Sequence, residues 1–341
     1  MMSVNSLPSR KILFTTAGAL FFLSAFSAPA EDLVVIQSPA QSARSLWKGQ
    51  IVDYTGEALS IRTGPAAALK TFPAAEVVRV ETEYVPAHTR GLELFAERKF
   101  PDAEAQFTAA LEDEERTWVR RELLASLIKC ALAEDDLRKA ALRFAPLVES
   151  DPHTRYWGLI PLVWDADAVD IPDVVAARAV ILAGGRVAPL IAASWNLERN
   201  GHRSPDAEAE LQKLASDADV MLQRLAQMQL WRIRLATQAV TEAERRRWEA
   251  TTDDLPVSLQ SGAHVLIGKA FWQQKDALRA AAEWMWLPLH YADQAGLAAW
   301  CQLRAAEALQ SAGEQAAATG LVRELSQRFP ETKAAARSRR R

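Results

Sequence analysis

Cysteine is nearly missing from this chain: Cys130 and Cys301 are the only two in 341 residues. Two thiols make no disulfide framework, and neither stands at zinc-ligand spacing from another cysteine or a histidine. Each lies in an apolar helical pattern, the usual setting of a buried free thiol. Histidine is scarce as well. His88, His153, His202, His264 and His290 include no pair four residues apart, so the helical His-x-x-x-His metal site is missing. Gly-x-Ser-x-Gly, a phosphate-binding loop and a dinucleotide Gly-rich turn are missing too. The expectation is therefore no catalytic residue, no cofactor, no metal, and no enzyme. Positive charge is not in excess: 40 Lys and Arg stand against 43 Asp and Glu, for a net charge of −3. That balance excludes bulk nucleic-acid binding, which needs a dense cationic surface. After residue 30 no apolar run approaches the roughly 20 residues of a membrane span.

One apolar run does occur, at the start. Arg10 and Lys11 precede Ile12 to Phe26, and Ala28-Pro29-Ala30 follows as a small-residue cleavage motif. This is the pattern of a secretory signal over 1–30, with the mature chain starting at Glu31 and destined for the periplasm or the extracellular space. Removing Arg10 and Lys11 leaves the mature chain more acidic by two charges.

Residues 31–45 are read as a polar, Ser- and Ala-rich linker. From Trp47 to Thr82 β-branched residues alternate with polar ones, as in Leu59, Ile61 and Thr63 against Ser60 and Arg62, and in Val78 and Val80 against Arg79 and Glu81. Thr55-Gly56 and Gly64-Pro65 punctuate the runs. The expectation is a small β module of four short strands over 46–85, and no strand after His88. Its layout resembles small SH3-like or Sm-like barrels. A module of that size is marginal alone, so it should dock on the helices that follow.

Past His88 the periodicity is helical, and one sparse pattern occurs twice. Gly91, Leu94, Ala103 and Phe107 recur as Gly268, Phe271, Ala280 and Trp284, each 177 residues later. Paired antiparallel helices need small residues where their axes approach and large ones where they diverge. At these positions the chain resembles the tetratricopeptide repeat, with Ala140, Phe144 and Pro152 closing a second unit at a spacing of 37. The resemblance implies TPR-like hairpins over 88–152 and 261–332, flanking an irregular α/α region at 153–260. The fold class is thus mainly α, a helical-repeat array preceded by a small β module. In the middle, Pro172 suits a helix N1 position, Gly184-Gly185 a break, Ser204-Pro205 a new helix, and Ser216 followed by Asp219 a capping pair that splits the apolar seam from Leu211 to Met228. Residues 333–341 read as a disordered basic tail.

Stacked hairpins make surfaces that bind other proteins. The resemblance implies an exported, non-catalytic scaffold that takes a protein or peptide partner in a concave groove lined by the first helix of each hairpin. Two alternatives stay open: a cell-envelope glycan-binding module that uses exposed tryptophan, and an accessory subunit of an envelope enzyme. Of eleven tryptophans, Trp284 sits at a repeat-core position, whereas Trp286, two residues on, faces away from it. Trp286 with His290 and Tyr291 is the candidate partner-binding surface. Asp165, Asp167 and Asp170 lack the glycine and terminal glutamate of a calcium loop and read as a solvated loop. The run Glu112 to Glu115 reads as a solvated helix end.

Overall fold

The computed structural model describes residues 31–38, 43–64, 66–199 and 201–340, so the expected leader at 1–30 lies outside it. The described residues open with five antiparallel strands: β1 (Asp32–Ile36), β2 (Ser45–Tyr54), β3 (Ala58–Thr63), β4 (Ala68–Pro73) and β5 (Val77–Glu81). Their spatial order is β4-β3-β2-β1-β5. Four are the strands that alternation predicts. The first corrects both the linker and the strand count. Leu33-Val-Val-Ile36 is too short and too uniformly apolar to display alternation, yet β1 pairs with β2 on one side and β5 on the other. Val34 and Ile36 are buried beneath it. The Asp32 carboxylate ties the strand down, accepting from the Ile51 amide at 2.7 Å and from the Thr82 hydroxyl.

Fourteen α-helices follow among the described residues. The first four are α1 (Pro86–Ala96), α2 (Phe100–Asp113), α3 (Thr117–Ala133) and α4 (Leu137–Ser150). An extended stretch with one 3-10 turn at Trp157–Leu159 leads to α5 (Val174–Ala183) and α6 (Ala188–Asn196). A minimal hairpin, β6 (Glu198–Arg199) and β7 (His202–Arg203), precedes α7 (Pro205–Leu214), α8 (Val220–Thr237) and α9 (Glu242–Asp253). The last five are α10 (Gln260–Gln273), α11 (Ala277–His290), α12 (Ala295–Ser311), α13 (Gln315–Arg328) and α14 (Lys333–Ser338). The fold is mainly α with an N-terminal antiparallel sheet.

Three expectations need correction here. Strands do occur after His88, because Gly201 at φ 75° turns the chain tightly enough for β6 to pair with β7. The middle region is not helical throughout, since the chain from Ile160 to Pro172 is irregular, with a turn at Ala166–Ala168. The basic tail is not free: Thr332 caps α14 by accepting from the Ala335 amide, and Ala334 and Ala335 are buried. Elsewhere the punctuation holds. Gly184 and Gly185 separate α5 from α6 at φ 81° and 92°, Ser204 caps α7, and the split expected at Ser216–Asp219 is present, with Asp219 rather than Ser216 as the cap of α8. Pro172 stands just ahead of the α5 cap, Asp173, which accepts from the Ala176 amide.

Four hairpins, α1–α2, α3–α4, α10–α11 and α12–α13, share one turn. Each places a left-handed residue two positions past the first helix: Arg98, Asp135, Lys275 and Gly313, with φ of 61°, 57°, 64° and 88°. In each the next amide reaches back to the first helix, as in Lys99 to Leu94, Asp136 to Ala131, Asp276 to Phe271 and Glu314 to Leu309, at 2.8–3.0 Å. This is the six-to-one closure of a helix C-terminus. The small residues do what the pattern requires. A Cβ on Gly91 would meet the Phe107 ring at 2.6 Å, and one on Gly268 the Trp284 indole at 2.5 Å. Ala103, Ala140 and Ala280 are wholly buried at the crossings.

Two apolar cores result. One lies between the sheet and α1–α3, joining Ile51, Leu59 and Ile61 to Phe107, Trp118 and Leu123. The other runs from α3 to α14. The sheet docks on the helices as its size requires, through Arg121 to Asp53 at 2.7 Å and the Gly56 amide to Asp151 at 2.8 Å. Cys130 and Cys301 are buried free thiols.

Candidate functional site

The predicted surface on α11 is divided by the structure. Trp286 is 40% exposed and His290 is exposed, whereas Tyr291 is buried and its hydroxyl donates to the Val257 carbonyl at 2.5 Å. Tyr291 is an anchor for the chain around α10, and its partner role is replaced by that structural one. The Trp286 indole stacks on His264 at 4.7 Å and 7°, and on His290 at 4.4 Å and 31°. His264 is held from the other direction by Glu283, 2.8 Å from its Nδ1. Leu278 and Leu289 continue the exposed apolar line of α11 on either side of Trp286. Stacked imidazoles occupy indole surface that a sugar ring would need.

A larger apolar surface lies on α5, and sequence reasoning missed it. Val174, Val175, Ile181 and Leu182 are 60%, 75%, 52% and 76% exposed. Ala176, Ala177 and Val180 on the opposite face enter the core. Beside this stripe opens a cleft of about 710 Å³ between α5, α6, the β6–β7 hairpin and α7. Ile181, Pro189, Ala192 and Ala207 line its floor, and Arg199, His202 and Glu210 stand on its rim. The decapeptide Val-Val-Ala-Ala-Arg-Ala-Val-Ile-Leu-Ala is apolar nearly all round, which reads as a core helix. Its one charge, exposed Arg178, was the signal that one face meets water.

The third concave feature is charged. The extended segment after α4 threads between the two halves of the array. The Trp164 ring covers Gly262 on α10, where a Cβ would sit 2.2 Å from it. Asp165 accepts from Trp300 on α12 and from Lys269 on α10, both at 2.9 Å. The Trp195 indole donates to the Pro161 carbonyl, and the Ser194 hydroxyl accepts from the Val163 amide. The expected solvated loop is thus corrected at Asp165, which is 5% exposed. Its carboxyl stays below the usual range: burial pushes it up, but Lys269 and the hydrogen bonds outweigh that. Glu114 likewise leaves the solvated run, buried against Arg116 at 2.7 Å. Next to Asp165 a cleft of about 380 Å³ opens between α8, α10 and α12, with Arg232, Lys269, Arg304 and Trp272 on its walls. Among the described residues no helix is long and apolar enough to cross a membrane. Comparison with protein-family models, with curated proteins and with solved structures gives no match.

Proposed function

We propose that this protein is an exported, non-catalytic scaffold of TPR-like build that holds a protein or peptide partner. The observation that carries this is the uncovered apolar stripe of α5 beside the cleft of about 710 Å³. Four large aliphatic side chains exposed along one helix cost solvation free energy in isolation, and such contiguous patches are where partners bind. The repeat-like character rests on the turn shared by four hairpins and on the matched Gly91–Phe107 and Gly268–Trp284 crossings.

The groove expected along the first helices of the C-terminal hairpins is partly filled by the chain itself, since Trp164 and Asp165 lie on α10 and α12. The partner surface is therefore assigned to α5 and its cleft, with the Trp286 line of α11 as the second position. The fitting partner is a segment that is apolar on one face, such as an amphipathic helix. A photo-cross-linking residue placed at Leu182 in intact cells should give one discrete protein adduct that Val175→Glu abolishes. The same residue at Trp286 tests the second position, and at exposed Gln212 it serves as the control. Adducts equal at all three positions would sink the assignment. Amino-terminal sequencing of the exported form should read from Glu31. Turnover of peptide, glycan or phosphate substrates by the purified chain, lost on one His→Ala change with folding intact, would replace the scaffold with an enzyme.

A further inference from the structure

The partner surface leaves the charged cleft unexplained, and one of its residues is out of balance. Arg232 on α8 is more than nine-tenths buried. Its Nη1 donates to the Ser194 carbonyl at 3.1 Å and to Gln229 Oε1 at 2.6 Å, both neutral acceptors. Among the described residues no carboxylate lies within ion-pair distance of it, and Nε and Nη2 have no hydrogen-bond partner. The other two cations of the cleft are matched: Lys269 to Asp165 at 2.9 Å, and Arg304 to Glu307. A buried guanidinium without a directly paired counter-charge is costly to maintain, because desolvation is not repaid by an ion pair. Burial lowers Arg232 to about 10, against the opposing fields of Glu198 and Asp165, so the charge persists at neutral pH.

Arg232 forms part of the wall of two adjoining clefts, of about 300 and 380 Å³, which share Glu198, Arg232 and Ala236. The larger has room for a small organic molecule. Beyond Arg232 its walls are mixed: Leu235, Leu266 and the half-buried Trp272 supply apolar surface beside the polar Asp167, Lys269 and Gln273. A guanidinium fork with two free donors on one edge matches the two oxygens of a carboxylate. Glu198 at the shared rim disfavours a ligand of high negative charge, which leaves a single carboxylate as the better fit.

We infer that the α8–α10–α12 cleft binds a small organic monocarboxylate, its carboxylate on the free edge of Arg232 and its apolar body against Trp272 and Leu266. This site stands apart from the α5 surface and does not depend on the partner assignment.

The probe is 3-phenylpropanoate, titrated into the mature chain and followed by tryptophan fluorescence and by calorimetry. Saturable binding with a Kd below about 1 mM is expected. The uncharged 3-phenylpropanamide should bind about tenfold or more weakly, because a charge-assisted pair is lost. Acetate, which has the charge but no apolar body, should also be weaker. Arg232→Gln should lose about tenfold or more in affinity for the acid while leaving the amide unchanged. Arg232 also supports Ser194, so Ala236→Trp provides a second arm. That position is exposed on α8 and lines both clefts, and an indole there should block binding with the thermal melt intact. Equal binding of acid and amide, full affinity in either folded variant, or no saturable binding would each overturn the assignment.

Discussion

At the scale of single residues, the same amino acid has opposite value at different positions. Gly268 and Gly320 both lie within helices. A Cβ at Gly268 meets the Trp284 indole at 2.5 Å, whereas one at Gly320 meets nothing within 4 Å. Gly268→Ala should therefore destabilise by about 1–3 kcal/mol through overpacking. Gly320→Ala should stabilise by about 0.5–1 kcal/mol through lower unfolded-chain entropy. Urea unfolding of the two variants checks both signs. His88 provides a pH test. It is 2% exposed, tilted against Tyr84 with ring centroids 4.1 Å apart, and edge-on to Phe107. Burial lowers it from 6.5 to about 4, the field of Arg116 adding to the fall and that of Glu114 opposing it. Between those values the unfolded chain holds the extra proton, so stability falls as pH drops through that window. The loss should approach about 3 kcal/mol by pH 4. His88→Phe should remove this component from the pH dependence of unfolding, and an unchanged slope between pH 6.5 and 4 would refute it.

At the scale of elements, the hairpin turn is the recurring device. A left-handed residue is needed where the first helix ends, and only Gly313 supplies it without steric cost. Arg98, Asp135 and Lys275 hold the same geometry with a Cβ. Lys275 makes no ion pair among the described residues, so Lys275→Gly should stabilise by about 0.5–1 kcal/mol in thermal melts. Gly313→Lys, which imposes the opposite change on the equivalent turn, should destabilise by a comparable amount. The helices themselves were legible, because their apolar periodicity and their caps are local. Ser204 marks a real helix start, and the split read at Ser216–Asp219 falls within three residues of the α8 cap. Strand β1 was not legible: a five-residue strand reveals its face only through its neighbours, and both neighbours come from later in the chain.

At the scale of the whole molecule, the extended segment after α4 does what no helix pairing could foretell. Trp157, Leu159, Ile160, Leu162, Val163 and Trp164 are all buried, and they join the N-terminal helices to α6, α10 and α12. Trp164→Ala should remove ring contacts across Gly262 and cost about 3–5 kcal/mol. Chemical denaturation monitored on the helical signal gives that cost, and a loss below 1 kcal/mol would mean that the two halves do not depend on this joint. Further contacts close the array: the Arg98 guanidinium donates to the Arg328 carbonyl at 3.1 Å, and Lys333 pairs with Asp170.

The sequence by itself determined the fold class, the four alternating strands, the small-against-large crossings and several helix starts and breaks, because each is written in near neighbours or in a fixed helical period. It placed Trp286 on the surface by its two-residue offset from Trp284 around α11. Only the tertiary structure decided the rest. Tyr291 is buried by a carbonyl 34 residues away, and Asp165 by partners more than 100 residues downstream. The exposure of α5 depends on which neighbours fail to cover it. The charge of Arg232 became informative only when no carboxylate among the described residues came within ion-pair distance of it. Burial and charge balance are sums over residues distant in sequence, and a local pattern cannot contain them.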